Sequence, residues 1–416
     1  MRRIAIIGAG QGGLTLALAL KKLGYATTLF SNRTAEQIKN GRILSSQAMF
    51  DQALTIERTL GLNYWEQQCV WKKHVDFSIA APGETKKMIH WKGKTQKPFQ
   101  SIDQRLKFSS LLDKYEGIGG KLVIQDVGLQ DLDKIAQQNE LTLVAGGKGE
   151  ISQAFARDNT RSIFDKPQRA LAAFYFHGTE NHAIENGVSA NLIPGIGEFF
   201  HFPCLSLNGP CHTILFEGIP GGPFDSFSGI NNPKDQLEHA QKLLKEFVPW
   251  EAEKCQNIEL VDSQATLIGR FTPTVRQPVT MMPCGKPIFA MADSVVLNDP
   301  IAGQGANNAT KCAEIYLQGI QEQGEKEFDE KWMRETFEKF WKRSARLSTQ
   351  FSNMLLCPPP AHVVEFLAAG MSQKNVADQF SHGFENPNSL FPWIMNPEET
   401  KMRLGELESR QNIIME

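Results

Sequence analysis

The feature that most constrains this chain lies close to its start. Ile4 to Ile7 is a short, continuous apolar run, and Gly8, Gly10 and Gly13 follow it at G-x-G-x-x-G spacing. Leu14 to Leu23 then reads as a helix closing at Gly24, with Thr27 to Phe30 as a second strand. An unbroken apolar run of that length suits a strand buried on both faces of a parallel sheet. Strand, glycine turn, helix and strand together form a dinucleotide-binding unit. The glycines let the backbone approach a pyrophosphate, and the helix N-terminus offers it free N–H groups and a partial positive charge. A ribose-binding acid is expected at the end of the second strand. Ser31, Asn32 and Arg33 stand there instead, and Glu36 lies a turn further on. Serine or asparagine can bond a ribose hydroxyl without charge assistance, so the nucleotide is expected to be held weakly and to exchange.

The remaining bulk properties exclude several classes. At ~150 residues per domain, 416 residues suggest two or three domains. Lys+Arg 44 against Asp+Glu 46 gives a net charge of -2, with no global positive field to hold nucleic acid. The seven cysteines form no C-x-x-C pair, which argues against a zinc ribbon or disulfide framework and fits a reducing cytoplasm. Two arginines followed by an apolar run imitate a signal peptide. Four glycines interrupt that run, however, and Lys21 and Lys22 close it where a cleavage site would lie. Leu14 to Leu20 is too short to span a bilayer, and no membrane association is expected. The histidines show no ligand spacing, so no metal is expected.

A second informative segment, IFAMADSVVLNDPIAGQGANN, runs from Ile288 to Asn308. Ile288 to Ala292 is another buried-strand pattern, followed by Asp293. Asp299-Pro300 and Gly303-Gln304-Gly305 come next, and a helix-compatible stretch runs from Ala306 to about Tyr316. Two glycine-to-helix turns so far apart in one chain fit a long cofactor touched at both ends. This segment resembles the flavin-contacting segment of FAD-dependent aromatic hydroxylases. The resemblance implies that Asp293 binds the ribityl chain, and that Gly303, Gln304, Gly305 and Asn307 approach the pyrophosphate and ring. Where that family usually has glycine before the aspartate, this chain has Ala292.

Single-component members of that group carry an Asp-Gly middle motif. The corresponding LTLVAGGKG, Leu141 to Gly149, has Ala145-Gly146-Gly147-Lys148 and no aspartate, and no second G-x-G-x-x-G exists for NAD(P)H. Together with KPQRA (Lys166 to Ala170) and Leu205-Ser206-Leu207-Asn208-Gly209, this resembles the oxygenase component of two-component styrene/indole monooxygenases over nearly the whole chain. The resemblance implies an α/β fold: a Rossmann-like FAD-binding domain of the glutathione-reductase/aromatic-hydroxylase type over 1–70, 99–165 and 263–330. Interleaved with it is a β-sheet substrate domain over 71–98 and 166–262, followed by a C-terminal helical region over 331–416.

The same resemblance implies epoxidation of indole at C2=C3, or of styrene-type arylalkenes, through a flavin C4a-hydroperoxide. It implies reduced, exchangeable FAD from a transient NADH-dependent flavin reductase, O2 as co-substrate and a small apolar aromatic substrate; a homodimer stays open. Pro300 and the Gly303 turn would sit beside the flavin ring. Substrate-side residues fall in NGRILSSQAMF, Asn40 to Phe50, where Ser45 with Gln47 is similar to the indole-preferring branch. An indole N–H needs a buried acceptor, which Gln47 or Ser45 can supply; the alternative is that both cap a helix beginning near Gln47. Arg42 approaches the flavin or is a surface arginine. Phe199, Phe200, Phe202 and Phe216 are pocket walls or strand core. An amphipathic helix is expected within 325–351, broken by Cys357-Pro358-Pro359-Pro360; its cations either face solvent or dock the reductase. Two other functions remain open: a self-sufficient NAD(P)H-dependent hydroxylase and a non-catalytic flavin-binding protein.

Overall fold

The computed structural model describes every residue except Met1, Ser46, Lys148, residues 179–186 and Glu416. Two sheets organise the chain. In spatial order, the first contains Val279–Met281, Pro287–Ala290, Leu141–Val144, Arg3–Ile7, Ala26–Ser31 and Lys121–Ile124. All its pairings are parallel except that between the first two strands. Arg3–Ile7 lies near the middle because it can: Ile4, Ala5 and Ile6 are completely buried, as a strand covered on both faces requires. The expected helix spans Gln11–Lys22 and packs against helix Gly305–Gln323; it ends where Gly24 adopts φ 84°.

The second sheet has eight strands. Its main path runs Glu259–Leu260, Ala170–His177, Gly209–Gly218, Gly197–Ser206, Gly187–Ile193, Lys72–Ala80 and Lys87–Phe99. Thr266–Gly269, expected in the nucleotide-binding part, pairs instead with Ala170–His177. Strand alternation divides the phenylalanines of this sheet. Phe174, Phe199 and Phe216 pack with Leu237, Leu243 and Leu244 of helix Pro233–Phe247, while Phe200 and Phe202 face the other way.

The charged, aromatic-rich region forms helix Glu330–Phe340, one π-helical turn Trp341–Ala345 and helix Arg346–Leu356. Met333, Phe337, Phe340 and Trp341 are buried against the body. Lys339 Nζ lies 3.0 Å from Glu322 Oε2, so this cation pairs within the chain. The run ends before Cys357 and the three prolines, which cannot continue a helix. Among the described residues no helix is long and apolar enough to cross a membrane.

Candidate active site

A single cavity of about 1270 Å³ is lined by residues of both sheets. It exceeds the roughly 300–1,000 Å³ of ordinary ligand pockets, which leaves room for an elongated cofactor together with a small second molecule. One end is made of backbone. Gly8, Gly10 and Gly12 line it, as do Ala145 to Gly147 and the starts of helices Gln11–Lys22 and Gly305–Gln323. Neither helix has a side-chain cap or an acidic residue in its first turn, unlike the helices capped by Thr34, Asp103, Asn232 and Asp329. Their first N–H groups are therefore left for whatever occupies the cavity.

The three motif glycines serve different purposes. A Cβ on Gly8 would lie 2.4 Å from the Ala145 carbonyl oxygen, and Gly8 has φ 115°. A Cβ on Gly13 would lie 2.0 Å from the Gly8 carbonyl oxygen, so this glycine sets the approach of helix to strand and does not line the cavity. Gly10 and Gly305, in contrast, have nothing within 4 Å of such an atom: they leave an open cradle at the two helix starts. That cradle, with uncapped N–H donors on both sides, fits a diphosphate-bearing cofactor.

Ser31, Asn32 and Arg33 line the same end, facing Gln125 to Asp131. The Ser31 hydroxyl is engaged locally, donating to the Arg33 carbonyl at 2.6 Å, which leaves Asn32 better placed than Ser31 to meet a ribose. Asp293 lines the cavity beside Ala292. Ala292, with φ 52°, is the one non-glycine residue at positive φ among the described residues. The left-handed turn that glycine would occupy freely is here taken by a residue with a Cβ, at a steric cost.

Pro300, Gly303 and Gly305 lie on the cavity wall, but Gln304 and Asn307 do not. Gln304 Nε2 donates to the Ala302 and Phe384 carbonyls, and Asn307 Nδ2 donates to those of Ala48 and Gly303. Asn307 Oδ1 also accepts from Phe50 N–H at 2.9 Å. Both side chains hold neighbouring segments in place; neither opens into the cavity. Arg42 is exposed and lies off the wall, where it meets solvent. Lys148 lies outside the described residues.

The other end is made of side chains. Leu171, Ala190, Phe200, Phe202 and Leu215 form a sheet face, closed over by Phe50, Phe99, Ile301 and Phe384. Two buried polar atoms on this wall have no partner. Gln47 Nε2 donates to the Ile102 carbonyl at 2.8 Å, which leaves Oε1 an unused acceptor. Asn298 Oδ1 accepts from Thr349 Oγ1 at 3.0 Å, which leaves Nδ2 an unused donor. Ser45 also lines the wall, and its carbonyl accepts from the Tyr175 hydroxyl. The next helix begins at Asp51 with Phe50 as its cap, so neither Ser45 nor Gln47 caps a helix. Behind the wall, Lys72 is fully buried with Nζ 5.4 Å from the Phe99 ring and 5.7 Å from that of Phe202, and it donates to the Pro203 carbonyl. Burial pulls its pKa down to about 8.

Residues 147–254 match the family described as "Styrene monooxygenase A putative substrate binding domain". The chain is 28% identical over 417 residues to styrene monooxygenase StyA of Pseudomonas fluorescens, covering 97% of each protein. It is 27% identical to a StyA from another Pseudomonas, again over 97% of each. The likeness runs from end to end. Among solved structures, a flavin-dependent brominase superposes with TM-score 0.66 at 12% identity, covering 98% of this chain and 99% of that one. A flavoprotein/dehydrogenase from Cytophaga hutchinsonii gives 0.67 at 14% identity and 99% of each. The flavin-dependent halogenase CmlS gives 0.66 at 15% identity, over 99% of this chain and 79% of that one. The fold is the mixed α/β fold of these flavoproteins, with its parallel sheet and C-terminal helices.

Asn298 and Lys72 were not anticipated from the sequence. Asn298 stands immediately before Asp299-Pro300, and no local pattern marks it. Lys72 opens strand Lys72–Ala80 as the first of two adjacent lysines, and nothing local reveals that it is the one facing inward.

Proposed function

We propose that this chain is the oxygenase of a two-component, FAD-dependent monooxygenase that acts on a small apolar arylalkene, with reduced FAD delivered by a separate NADH-dependent flavin reductase. The carrying observation is the continuous cavity, whose backbone cradle at one end suits a cofactor diphosphate and whose apolar chamber at the other suits an aromatic substrate. FAD, when bound in its reduced form, supplies the activation of O2 from which one oxygen atom passes to the alkene. The chain binds, orients and keeps dry. Gly10 and Gly305 leave space for the diphosphate between the two helix starts, and Asn32 and Asp293 stand where they can meet the cofactor's sugar portions. Pro300 and the Gly303 turn form the wall between cofactor and substrate, and Phe50, Phe99, Phe200 and Phe202 exclude water from the reacting atoms.

Within this reading, indole is the preferred substrate and the C2=C3 bond the site of epoxidation. The support is Gln47: its amide is held by Ile102 so that a buried oxygen acceptor remains unused, and indole brings the N–H that satisfies it. Styrene has no such group and leaves the acceptor unpaired.

The test is oxidation of NADH with indole present. The purified chain alone should not oxidise NADH, and adding a flavin reductase with FAD should start turnover and produce blue pigment from indole. Rapid NADH consumption by the chain alone would instead mark a self-sufficient hydroxylase. Failure of any indole or arylalkene to react, with reductase present, would mark a flavin-binding protein without turnover.

A further inference from the structure

A cluster of four charged side chains lies beneath the cavity wall and outside the site described above. Along strand Gly209–Gly218, Ile214 and Phe216 point into the core and Leu215 points to the cavity, so Glu217, two residues on, shares Leu215's side. Glu217 is fully buried, and neither carboxyl oxygen has a conventional donor. Its cross-strand partner Glu198 occupies the nearest cation: Arg169 donates to it through two nitrogens at 2.6 and 2.8 Å. After burial, the carboxyl of Asp299 is the neighbour that acts on it most strongly, by charge and by hydrogen bonding. Asp299 is 1% exposed and accepts from Ile301 N–H, capping the short turn Pro300–Ala302.

Two carboxyl groups side by side in such a place cannot both be ionised; one proton held between them turns repulsion into a short hydrogen bond. We propose that Glu217 is a positioning residue, which through a proton shared with Asp299 fixes the Pro300–Gly303 turn against the cofactor. The proposal rests on the FAD reading above and adds to it a pH-dependent grip. The charged groups facing Glu217 are Glu198 on the adjacent strand, Arg169 at the entry to Ala170–His177, and Asp299 on the turn. Helix Arg346–Leu356, which packs on the turn, offers the Leu356 carbonyl to Arg169 and the Thr349 hydroxyl to Asn298. Burial first, then Asp299 and Glu198, push the Glu217 pKa well above the usual carboxylate range, which favours the protonated carboxyl. Its loss sets two carboxylates against each other at the start of the Pro300–Ala302 turn.

The experiment is FAD binding to the full chain, followed by flavin fluorescence from neutral to alkaline pH, with oxidised FAD and with FAD reduced anaerobically. In the parent protein Kd should rise about tenfold toward alkaline pH, the worth of one strong hydrogen bond. Glu217→Gln keeps a donor for Asp299 and cannot ionise, so its Kd should stay level over the same range. Glu217→Leu removes the donor, and should bind about tenfold more weakly already at neutral pH. If Glu217→Leu does not fold, the comparison of parent with Glu217→Gln still decides. An alkaline loss of equal size in Glu217→Gln, or a level profile in the parent protein, overturns the proposal. Ionisation of the flavin itself acts on both proteins alike and cancels in that comparison. Absence of FAD binding in the parent at every pH is a different result: it removes the FAD reading, and the proposal with it.

Discussion

The two ends of the cavity are built by different means. At the end proposed for the cofactor the wall is backbone: glycines without a Cβ, and helix starts with unspent N–H groups. At the end proposed for the substrate it is side chains projecting from a sheet, with single polar atoms at Gln47 and Asn298. A backbone wall recognises what nucleotide cofactors have in common, and it tolerates little change. A side-chain wall recognises size and one or two polar groups, and each residue can be exchanged separately.

The largest expected effect is at the first end. Gly13→Ala forces a Cβ against the Gly8 carbonyl and should cost about 3 kcal/mol or more in stability, measured by denaturant unfolding. Gly10→Ala, three residues away and with open space around it, should change stability by less than about 1 kcal/mol while weakening FAD binding at least about tenfold. Equal behaviour of the two variants would break the distinction between a packing glycine and a cradle glycine.

Behind the substrate end, Lys72→Met should raise stability at neutral pH by on the order of 3 kcal/mol. The folded protein holds Lys72 at a pKa of about 8 against 10.5 in the unfolded chain, which therefore binds more protons between those values. Stability of the parent protein rises with pH across that window, and the advantage of the methionine variant should shrink across it. A constant difference at all pH values would assign the effect to packing.

Gln47→Val removes the acceptor without opening a large space. It should raise the styrene-to-indole ratio of kcat/KM by about 10- to 100-fold, the worth of ~1–3 kcal/mol, and Ser45→Asn combined with it should not reverse the direction. An unchanged ratio would separate Gln47 from substrate. The smallest effect returns to the cofactor end. Ala292→Gly relaxes a left-handed alanine but adds freedom to the unfolded chain, and a net gain of roughly 0.5 kcal/mol is expected from thermal unfolding.

This division also explains how much could be read in advance. The fold class and the two glycine turns were legible because glycine spacing is itself a statement about backbone: Gly8, Gly10 and Gly303 to Gly305 mark places where the chain must turn or make room. The substrate end was only half legible. Four phenylalanines were noted as wall or core, and the sheet register alone assigns Phe200 and Phe202 to the wall, Phe199 and Phe216 to the core. Arg42 and Gln304 are residues of suitable chemistry whose direction depends on contacts far along the chain, with Gln304 drawn to the Phe384 carbonyl. Glu217 left one signal, a single charge inside the apolar strand TILFEG, but its partner Asp299 lies 82 positions away in the chain, beyond any local pattern.

Strand Gly197–Ser206 sends Phe200 and Phe202 to the cavity and Phe199 to the opposite, interior face. Under the proposed function, positions 200 and 202 can change with the molecule to be oxidised, while 199 stays under the discipline of folding. Adaptation can proceed there by substitution, but an inserted residue would exchange the two duties at once and forfeit both.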